Sequence, residues 1–167
     1  MHAMAGDDET LGERLKDQGQ HGTEELTHTP EELLARYHKA MRGHPAVPLE
    51  IDEYTPQKIL VRARFEFEHT RPGRMVSGPN LFLLADAIAY FVTISRSPKG
   101  SEAFTASLSM EFLKPAPMGD LFVEGKLLRF GKRSCVVDTL IRLAEPEELI
   151  AHATVMYAPV FPDNNES

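Results

Sequence analysis

The chain has little cysteine. Cys135 is the only one in 167 residues, so no internal disulfide can form, which is typical of proteins from a reducing compartment. Cys135 belongs to the strand-like run SCVVDTLI, and we expect a small buried hydrophobic side chain there rather than a reactive thiol. A chain of this length has room for the core of one domain.

Positive charge is also scarce. The formal net charge is −7, and residues 1–36 carry nine acidic side chains against three basic ones, so the rest of the chain is close to neutral. A nucleic-acid backbone attracts proteins through a basic excess that this chain does not have. The composition therefore argues against nucleic acid as a partner.

No apolar run is long enough to cross a membrane. The longest, SGPNLFLLADAIAYFVT at 77–93, is interrupted by Asp86 and is shorter than the roughly 20 residues of a membrane span. The N-terminal residues are acidic and lack the apolar segment of a secretory signal. Neither a Cys/His cluster at ligand spacing nor a glycine-rich nucleotide motif is present. We expect a cytoplasmic protein with no membrane partner, no metal and no other cofactor.

The chain divides into four segments: an acidic mobile tail at 1–28, an amphipathic helix at 29–45, a folded domain at 46–162 and a short tail at 163–167. The helix begins with a capping box, in which Thr29 and Glu32 flank Pro30, and Gly43 ends it. Its apolar stripe has helical spacing and consists of Leu33, Leu34, Tyr37 and Met41.

From residue 49 the apolar residues recur with period two, which indicates strands at 49–54 and 58–69. The second alternates an apolar face with a charged one, and the apolar face consists of Ile59, Val61, Ala63, Phe65 and Phe67. A loop at 70–80 and an apolar helix at 79–95 follow. Four more strands are predicted at 103–113, 120–131, 132–144 and 148–161.

Strands grouped around one long helix indicate an antiparallel α+β domain. This helix is apolar on all sides, so it cannot lie on a sheet and leave its other side in water. A curled sheet wrapped around the helix would bury most of it, and a second subunit would cover the side that the sheet leaves open. We therefore predict one central helix enclosed by an antiparallel sheet.

Asp86 is the one acid in this central helix. Burying an ionised carboxylate without partners costs several kcal/mol, so Asp86 must be paired or serve a chemical purpose. The structural explanation is that it accepts hydrogen bonds from a neighbouring strand or from Arg62 or Arg64. The functional explanation is a general base or nucleophile.

The start of the helix carries a second candidate group. Ser77 is a suitable N-cap, and the Gly78 amide is a free donor at the positive end of the helix, where it could hold a developing oxyanion. The same two residues could simply begin the helix. Gly78 and Asp86 are about 12 Å apart along the axis, too far to act on one carbonyl. If both serve one substrate, they come from two subunits of a dimer with two equivalent sites.

Residues 49–161 resemble the PaaI-like group of hotdog-fold thioesterases. The resemblance rests on the order of the segments, on a loop-to-helix glycine eight residues before an aspartate, on the run FLKPAPMGDL and on the closing strand with its Ala-x-Ala-Thr. It implies a sheet wrapped around the central helix, with the N-terminal helix as an extension. It also implies homodimers that pair into tetramers and acyl-CoA as the substrate.

The resemblance assigns roles to individual residues. Asp86 matches the acid that activates water or attacks the thioester, and Gly78 matches the first glycine of the usual His-Gly-Gly, whose amide polarises the thioester carbonyl. Thr105 stands where a hydroxyl helps to orient the attacking water. Ser77 replaces the histidine and Pro79 replaces the second glycine. A serine hydroxyl cannot do the acid–base work of a histidine, so an altered acyl or leaving-group preference is expected.

Further residues are candidates for substrate binding. Pro79 and Asn80 belong to the same helix start. The phosphates of coenzyme A call for basic residues near the site, and the RFGKR turn offers Arg129, Lys132 and Arg133. The alternative for that turn is an ordinary solvated hairpin. The loop before the helix offers a second basic pair, Arg71 and Arg74.

The sequence thus predicts a hotdog acyl-CoA thioesterase with Asp86, Gly78, Thr105 and Ser77 at its site. Two alternatives remain open. One is a non-catalytic acyl-CoA or small-ligand binding protein, which the missing histidine favours. The other is an enoyl-CoA hydratase or dehydratase, which needs a histidine paired with an acid, and His152 is the only histidine of the domain in a suitable place.

Overall fold

The computed structural model describes residues 25–162. Most of the predicted N-terminal tail and the tail at 163–167 lie outside this range. Within it, each of two α-helices is followed by four strands. The amphipathic helix, Pro30–Ala40, precedes β1 Leu49–Tyr54, β2 Lys58–Phe65, β3 Thr70–Arg71 and β4 Met75–Val76. The central helix, Gly78–Ile94, precedes β5 Glu102–Phe112, β6 Gly119–Phe130, β7 Cys135–Leu143 and β8 Glu148–Val160.

Six strands form one sheet in the order β1-β2-β6-β7-β8-β5, and every neighbouring pair is antiparallel. Strands β1 and β5 are its two edges. The central helix packs against β2, β5, β6, β7 and β8, so the sheet curls around it. The predicted α+β architecture, an antiparallel sheet wrapped around one helix, is confirmed.

The central helix begins one residue earlier than predicted, because Ser77 is its N-cap and accepts a hydrogen bond from the amide of Asn80. No helix of the described chain is both long and apolar enough to span a bilayer. The side of the helix that faces the sheet supplies eight buried residues to the core, namely Leu81, Leu84, Ala85, Ile88, Ala89, Phe91, Val92 and Ile94. Its other side carries Phe82, Asp86 and Tyr90, none of which is fully buried.

Gly125 in β6 allows the closest approach between the central helix and the sheet. A Cβ atom at this position would lie 2.7 Å from Cγ2 of Ile88 and 3.0 Å from Cγ2 of Val92. Both neighbours are β-branched residues of the core, so neither methyl can move away freely. The depth at which the helix lies in the sheet, and with it the position of Asp86, depends on the missing side chain.

We expect Gly125→Ala to lower the free energy of unfolding by about 1–3 kcal/mol, because the added methyl overpacks the core. Chemical denaturation measures the loss. Ile88→Ala removes the opposing methyl, so the double variant should be more stable than the two single losses added together. Strict additivity would mean that the two residues do not compete for this space.

The amphipathic helix has the predicted capping box: the Thr29 side chain accepts from the Glu32 amide, and the Glu32 carboxylate accepts from the Thr29 amide. The helix ends at Ala40, earlier than the predicted boundary at 45. It is tied to the core through Tyr37, whose ring meets that of Phe91 edge to face at 6.3 Å.

The end of the predicted mobile tail is ordered, which corrects its boundary at residue 28. The Thr27 amide donates to the Ser95 carbonyl at 2.8 Å, and the Thr27 hydroxyl donates to the Ser97 carbonyl at 2.6 Å. His28 is buried, and its carbonyl accepts a hydrogen bond from the Tyr54 hydroxyl. The two Thr27 bonds satisfy carbonyls at the C-terminal end of the central helix, where backbone carbonyls lack helical partners.

The second strand is shorter than its alternation predicts. It ends at Phe65, and residues Phe67–His69 form a 3-10 turn. Phe67, predicted on the apolar face, is 71% exposed, whereas His69 is buried against the Phe65 ring. The following segment, predicted as a loop, contains the two-stranded hairpin β3–β4, with Gly73 at a φ of +96° in its turn.

Strand β5 contains a bulge beside the central helix. Its pairing with β8 runs from Thr105 opposite Tyr157 directly to Ser107 opposite Met156, so Ala106 is an extra residue on β5. On β7, Cys135 is buried as predicted, and its burial raises the pKa of the thiol to about 11. A thiol in that state is unreactive at neutral pH.

Candidate active site

Asp86 lies halfway along the central helix, on the side that the sheet leaves open. Its Oδ1 accepts two hydrogen bonds at 2.8 Å, one from the Thr105 hydroxyl and one from the Tyr157 hydroxyl. The Tyr157 hydroxyl also lies 3.1 Å from the backbone carbonyl oxygen of Asp86. Two hydroxyl donors thus hold one oxygen of the carboxylate in place.

The arginines considered as structural partners of Asp86 bind elsewhere. Arg62 contacts Asp52 at 3.0 Å, and Arg64 contacts Asp120 at 2.8 Å. Within residues 25–162, no basic side chain forms an ion pair with Asp86. The structural explanation that paired Asp86 with Arg62 or Arg64 is therefore wrong.

Tyr157 is a site residue that the sequence analysis missed. It lies on β8 with its side chain on the helix side of the sheet and is almost completely buried. Burial raises the pKa of its phenol, and the negative charge of Asp86 acts in the same direction. Tyr157 therefore keeps its proton and remains a donor at physiological pH. The available signal was an aromatic residue in phase with the buried alanines of the closing strand.

The second oxygen of Asp86 accepts no hydrogen bond from the described part of the chain. Asp86 lines an open groove of about 720 Å³ together with Gly78, Pro79, Phe82, Leu83, Thr105 and Phe112. It also lines a smaller cavity of about 300 Å³ on its other side. The free oxygen is therefore available to a water or substrate in this space.

Gly78 lies at the far end of the same groove. Its amide, at the first position of the helix, has no acceptor among residues 25–162 and is a free donor. The Phe112 ring covers it so closely that a Cβ at Gly78 would lie 3.6 Å from the ring. The side-chain amide of Asn80 donates to the His69 carbonyl at 2.7 Å, so this group holds the preceding turn.

The two groups of basic residues named from the sequence lie in different places relative to Asp86 and Gly78. Arg129, Lys132 and Arg133 belong to the β6–β7 hairpin, at the opposite end of β6 from Gly119, and none of them lines the two cavities of Asp86. Arg71 does lie beside Gly78. Together with Lys114 it lines a second groove, of about 520 Å³. Gly78 and Phe112 line both this groove and the open groove of Asp86.

His152 does pair with acids, but not near Asp86. Its Nε2 lies 2.6 Å from Asp138 and its Nδ1 3.3 Å from Glu111, and the hydrogen bond to Asp138 raises its pKa. It is five residues from Tyr157 on β8, so the two side chains lie on opposite faces of the sheet. The described residues contain no group of three or more His, Cys, Asp or Glu placed to hold a metal ion.

Comparison with known proteins shows which proteins this chain is similar to. The model of the thioesterase superfamily matches residues 73–150, a segment that includes Gly78, Asp86 and Thr105. Among curated proteins, none matches the chain significantly.

Solved structures share the fold over most of the chain. A candidate thioesterase from Silicibacter sp. TM1040 is 28% identical, with a TM-score of 0.71 over 86% of this chain and 96% of that one. A thioesterase from Haemophilus influenzae is 16% identical, with a TM-score of 0.70 over 84% and 96%. A hypothetical thioesterase from Streptococcus pneumoniae, crystallised with coenzyme A, is 23% identical, with a TM-score of 0.63 over 70% and 92%.

The sheet wrapped around one helix is therefore the hotdog fold, as predicted. Residues 73–150 match the thioesterase superfamily, and most of the chain has the fold of solved thioesterases. Its placement in the PaaI-like group stays a prediction from the sequence motifs.

Proposed function

We propose that the protein hydrolyses acyl-CoA thioesters, with Asp86 as the general base. The observation that carries this proposal is the state of the Asp86 carboxylate, which has one oxygen fixed by Thr105 and Tyr157 and the other free in a groove. A carboxylate held in this way can accept a proton without losing its orientation. The thioesterase fold and the coenzyme A bound to the Streptococcus pneumoniae relative support this substrate class.

In the proposed reaction, a water molecule lies between Asp86 and the thioester carbonyl. Asp86 takes a proton from the water as its oxygen attacks, and the carbonyl oxygen becomes an oxyanion held by a Gly78 amide. The intermediate then collapses and the C–S bond breaks. The departing thiolate takes the proton that Asp86 had removed from water, which gives free coenzyme A and a carboxylic acid and restores the Asp86 carboxylate. Direct attack by Asp86 to form an anhydride is the alternative first step.

The two groups of one site come from two subunits in this proposal. Gly78 and Asp86 are eight residues apart on one helix, about 12 Å along its axis, so they cannot share a carbonyl within one chain. Strand β5 supports a dimer, since it is a sheet edge with an open side and Phe104 beside the site is 64% exposed. An open, apolar edge of this kind invites a second copy of the strand. The working unit is thus a homodimer or a pair of dimers.

Coenzyme A would lie on the Gly78 side of the site. Arg71 and Lys114 line the groove there, and they offer positive charge to its phosphates. Lys114 also pairs with Glu148, so Arg71 is the less committed of the two cations. Arg129, Lys132 and Arg133 stay candidates for the same phosphates from the partner subunit.

Ser77 sets this protein apart from relatives with a histidine at the helix start. Its side chain accepts a hydrogen bond from the Asn80 amide and so serves as a helix cap. This use favours a second candidate function, the binding of acyl-CoA without hydrolysis. Thiol release from a panel of acyl-CoAs decides between the two: hydrolysis of any member supports the enzyme, whereas binding without thiol release across the whole panel supports the binding protein.

The two hydroxyl donors should act as positioning residues. A hydrogen bond to a charged group contributes about 1.5–3 kcal/mol, so we expect Tyr157→Phe to lower kcat/KM by roughly tenfold to a hundredfold. Thr105→Val should have an effect of the same size, whereas Thr105→Ser keeps the hydroxyl and should restore most of the activity. Equal losses in the valine and serine variants would show that the hydroxyl of Thr105 is not what matters.

A further inference from the structure

The second cavity of Asp86 lies between the amphipathic helix, the central helix, β5 and β8. Its volume is about 300 Å³, and its lining is mostly apolar and aromatic. Arg36 and Tyr37 line it from the amphipathic helix, Asp86, Ala87 and Tyr90 from the central helix, and Thr105 from β5.

One side of this cavity is outside the part of the chain that the family model matches. That match covers residues 73–150, whereas the amphipathic helix spans Pro30–Ala40. The helix is held firmly, because the Tyr37 hydroxyl donates to the Val47 carbonyl and accepts from the Val47 amide, both at 3.1 Å. Lys99 binds Glu32 at 2.6 Å near the start of the helix. The wall it forms is therefore fixed.

A polar pair lines the end of the cavity away from Asp86. Arg36 donates to the Tyr90 hydroxyl at 2.9 Å and reaches Glu102 at 3.4 Å. Tyr90 follows Asp86 by one helical turn, which places this end about 6 Å further along the helix axis. Since Glu102 already neutralises Arg36 and the lining beyond Asp86 carries no other charge, the cavity suits an uncharged group.

The volume sets the size of that group. A dry cavity of about 150 Å³ is enough to bind benzene, so about twice that volume accommodates a chain of roughly six to ten carbons. Burial of each methylene is worth about 0.8 kcal/mol, so a chain that fills the cavity binds much better than a short one. A longer chain would have to displace the Arg36–Tyr90 pair.

From this geometry we propose that the cavity binds the acyl group of the substrate, that the preferred acyl group is uncharged with about six to ten carbons, and that Arg36 and Tyr90 limit its length. The inference rests on the proposed thioesterase function, since it places the thioester at Asp86 and the acyl chain beyond it. It adds the substrate class and makes the amphipathic helix part of the specificity of the enzyme.

The test compares kcat/KM for butyryl-, octanoyl- and hexadecanoyl-CoA in four proteins. We expect the wild type to prefer octanoyl-CoA at least tenfold over either of the others. Arg36→Ala opens the end of the cavity and should raise the hexadecanoyl-to-octanoyl ratio at least fivefold. Ala87→Leu fills the cavity and should lower the octanoyl-to-butyryl ratio at least fivefold. Lys39→Ala, an exposed position on the same helix, should leave both ratios within twofold of wild type.

A preference for hexadecanoyl-CoA in the wild type, or ratios that do not change in Arg36→Ala and Ala87→Leu, would overturn the inference while leaving thioester hydrolysis standing. Faster turnover of an octanoyl-CoA that carries a carboxylate at its far end would also overturn it, because Arg36 would then be an anion receptor.

Binding of non-hydrolysable S-alkyl-CoA thioethers, measured by calorimetry, separates this inference from the proposed function. If no acyl-CoA is hydrolysed, tighter binding of S-octyl-CoA than of S-hexadecyl-CoA, lost in Arg36→Ala, still supports the cavity assignment. Equal binding of the two thioethers overturns it.

Discussion

Asp86→Asn is expected to lower kcat/KM for the preferred acyl-CoA by about 10²–10⁴-fold, the usual contribution of a general base. The amide of asparagine can still accept the hydrogen bonds of Thr105 and Tyr157 through its oxygen, so the fold and the groove should survive. It cannot take a proton from water. KM should change little, because the lost interaction belongs to the transition state. Steady-state thiol release measures both constants.

Asp52→Asn is the matched control, because Asp52 is a surface carboxylate paired with Arg62. Its kcat/KM should equal that of wild type. A loss of less than about threefold in Asp86→Asn, which corresponds to under ~1 kcal/mol of transition-state stabilisation, would contradict the catalytic role of Asp86.

Gly78→Pro is expected to lower kcat by about 10²–10³-fold, because proline removes the one amide proton that holds the oxyanion. The backbone that precedes position 78 is compatible with proline, whereas Pro79, which follows, disfavours any helical residue with a Cβ at this position. Gly78 is the first residue of the helix, where proline is common, and Ser77 before it is extended at a ψ of 149°. Gly78→Ala keeps the amide, has the same added Cβ before Pro79, and would contact Phe112 at an ordinary 3.6 Å, so its loss should be at least tenfold smaller than that of Gly78→Pro. Similar losses in the two variants would implicate the space above Gly78 rather than its N–H.

The same variants test whether one site uses two subunits. In a mixed dimer of Asp86→Asn and Gly78→Pro chains, one of the two sites has both defects and the other has an intact Asp86 and an intact Gly78. We therefore expect the mixed dimer, purified through two different tags, to recover about half of the wild-type kcat per dimer. Mixed dimers as inactive as either parent would place Asp86 and Gly78 of one site in the same chain.

Local patterns predicted most of the fold. Alternation in the first two strands and strand-like runs between turn signals in the other four located five of the six sheet strands to within a few residues. The exception is informative: β2 stops at Phe65 although the alternation continues to Phe67. Alternation reports where apolar side chains recur, and it does not report that the chain must turn there to reach the start of the central helix.

The site could be predicted only in part. Asp86 was recognisable because a lone acid in an apolar helix needs either hydrogen-bond partners or a chemical role. Gly78 was recognisable because the first amides of a helix have no acceptor within the helix. The sequence could indicate that Tyr157 is buried but not that it contacts Asp86, since that contact spans 71 positions and depends on how β8 pairs with β5. The same holds for Lys114, which joins Arg71 beside Gly78 only after the sheet has curled.

The extra residue in β5 has a consequence for how the groove is built. In a regular strand, side chains seven positions apart lie on opposite faces. Thr105 and Phe112 are separated by that interval, yet both lie on the helix side, one beside Asp86 and the other over Gly78. Ala106 reverses the parity between them. The single extra residue thus lets one strand supply both ends of the groove. Deleting one residue between Thr105 and Phe112 would turn one of the two side chains to the other face of the sheet, so the number of residues between them matters to the site as much as their identities.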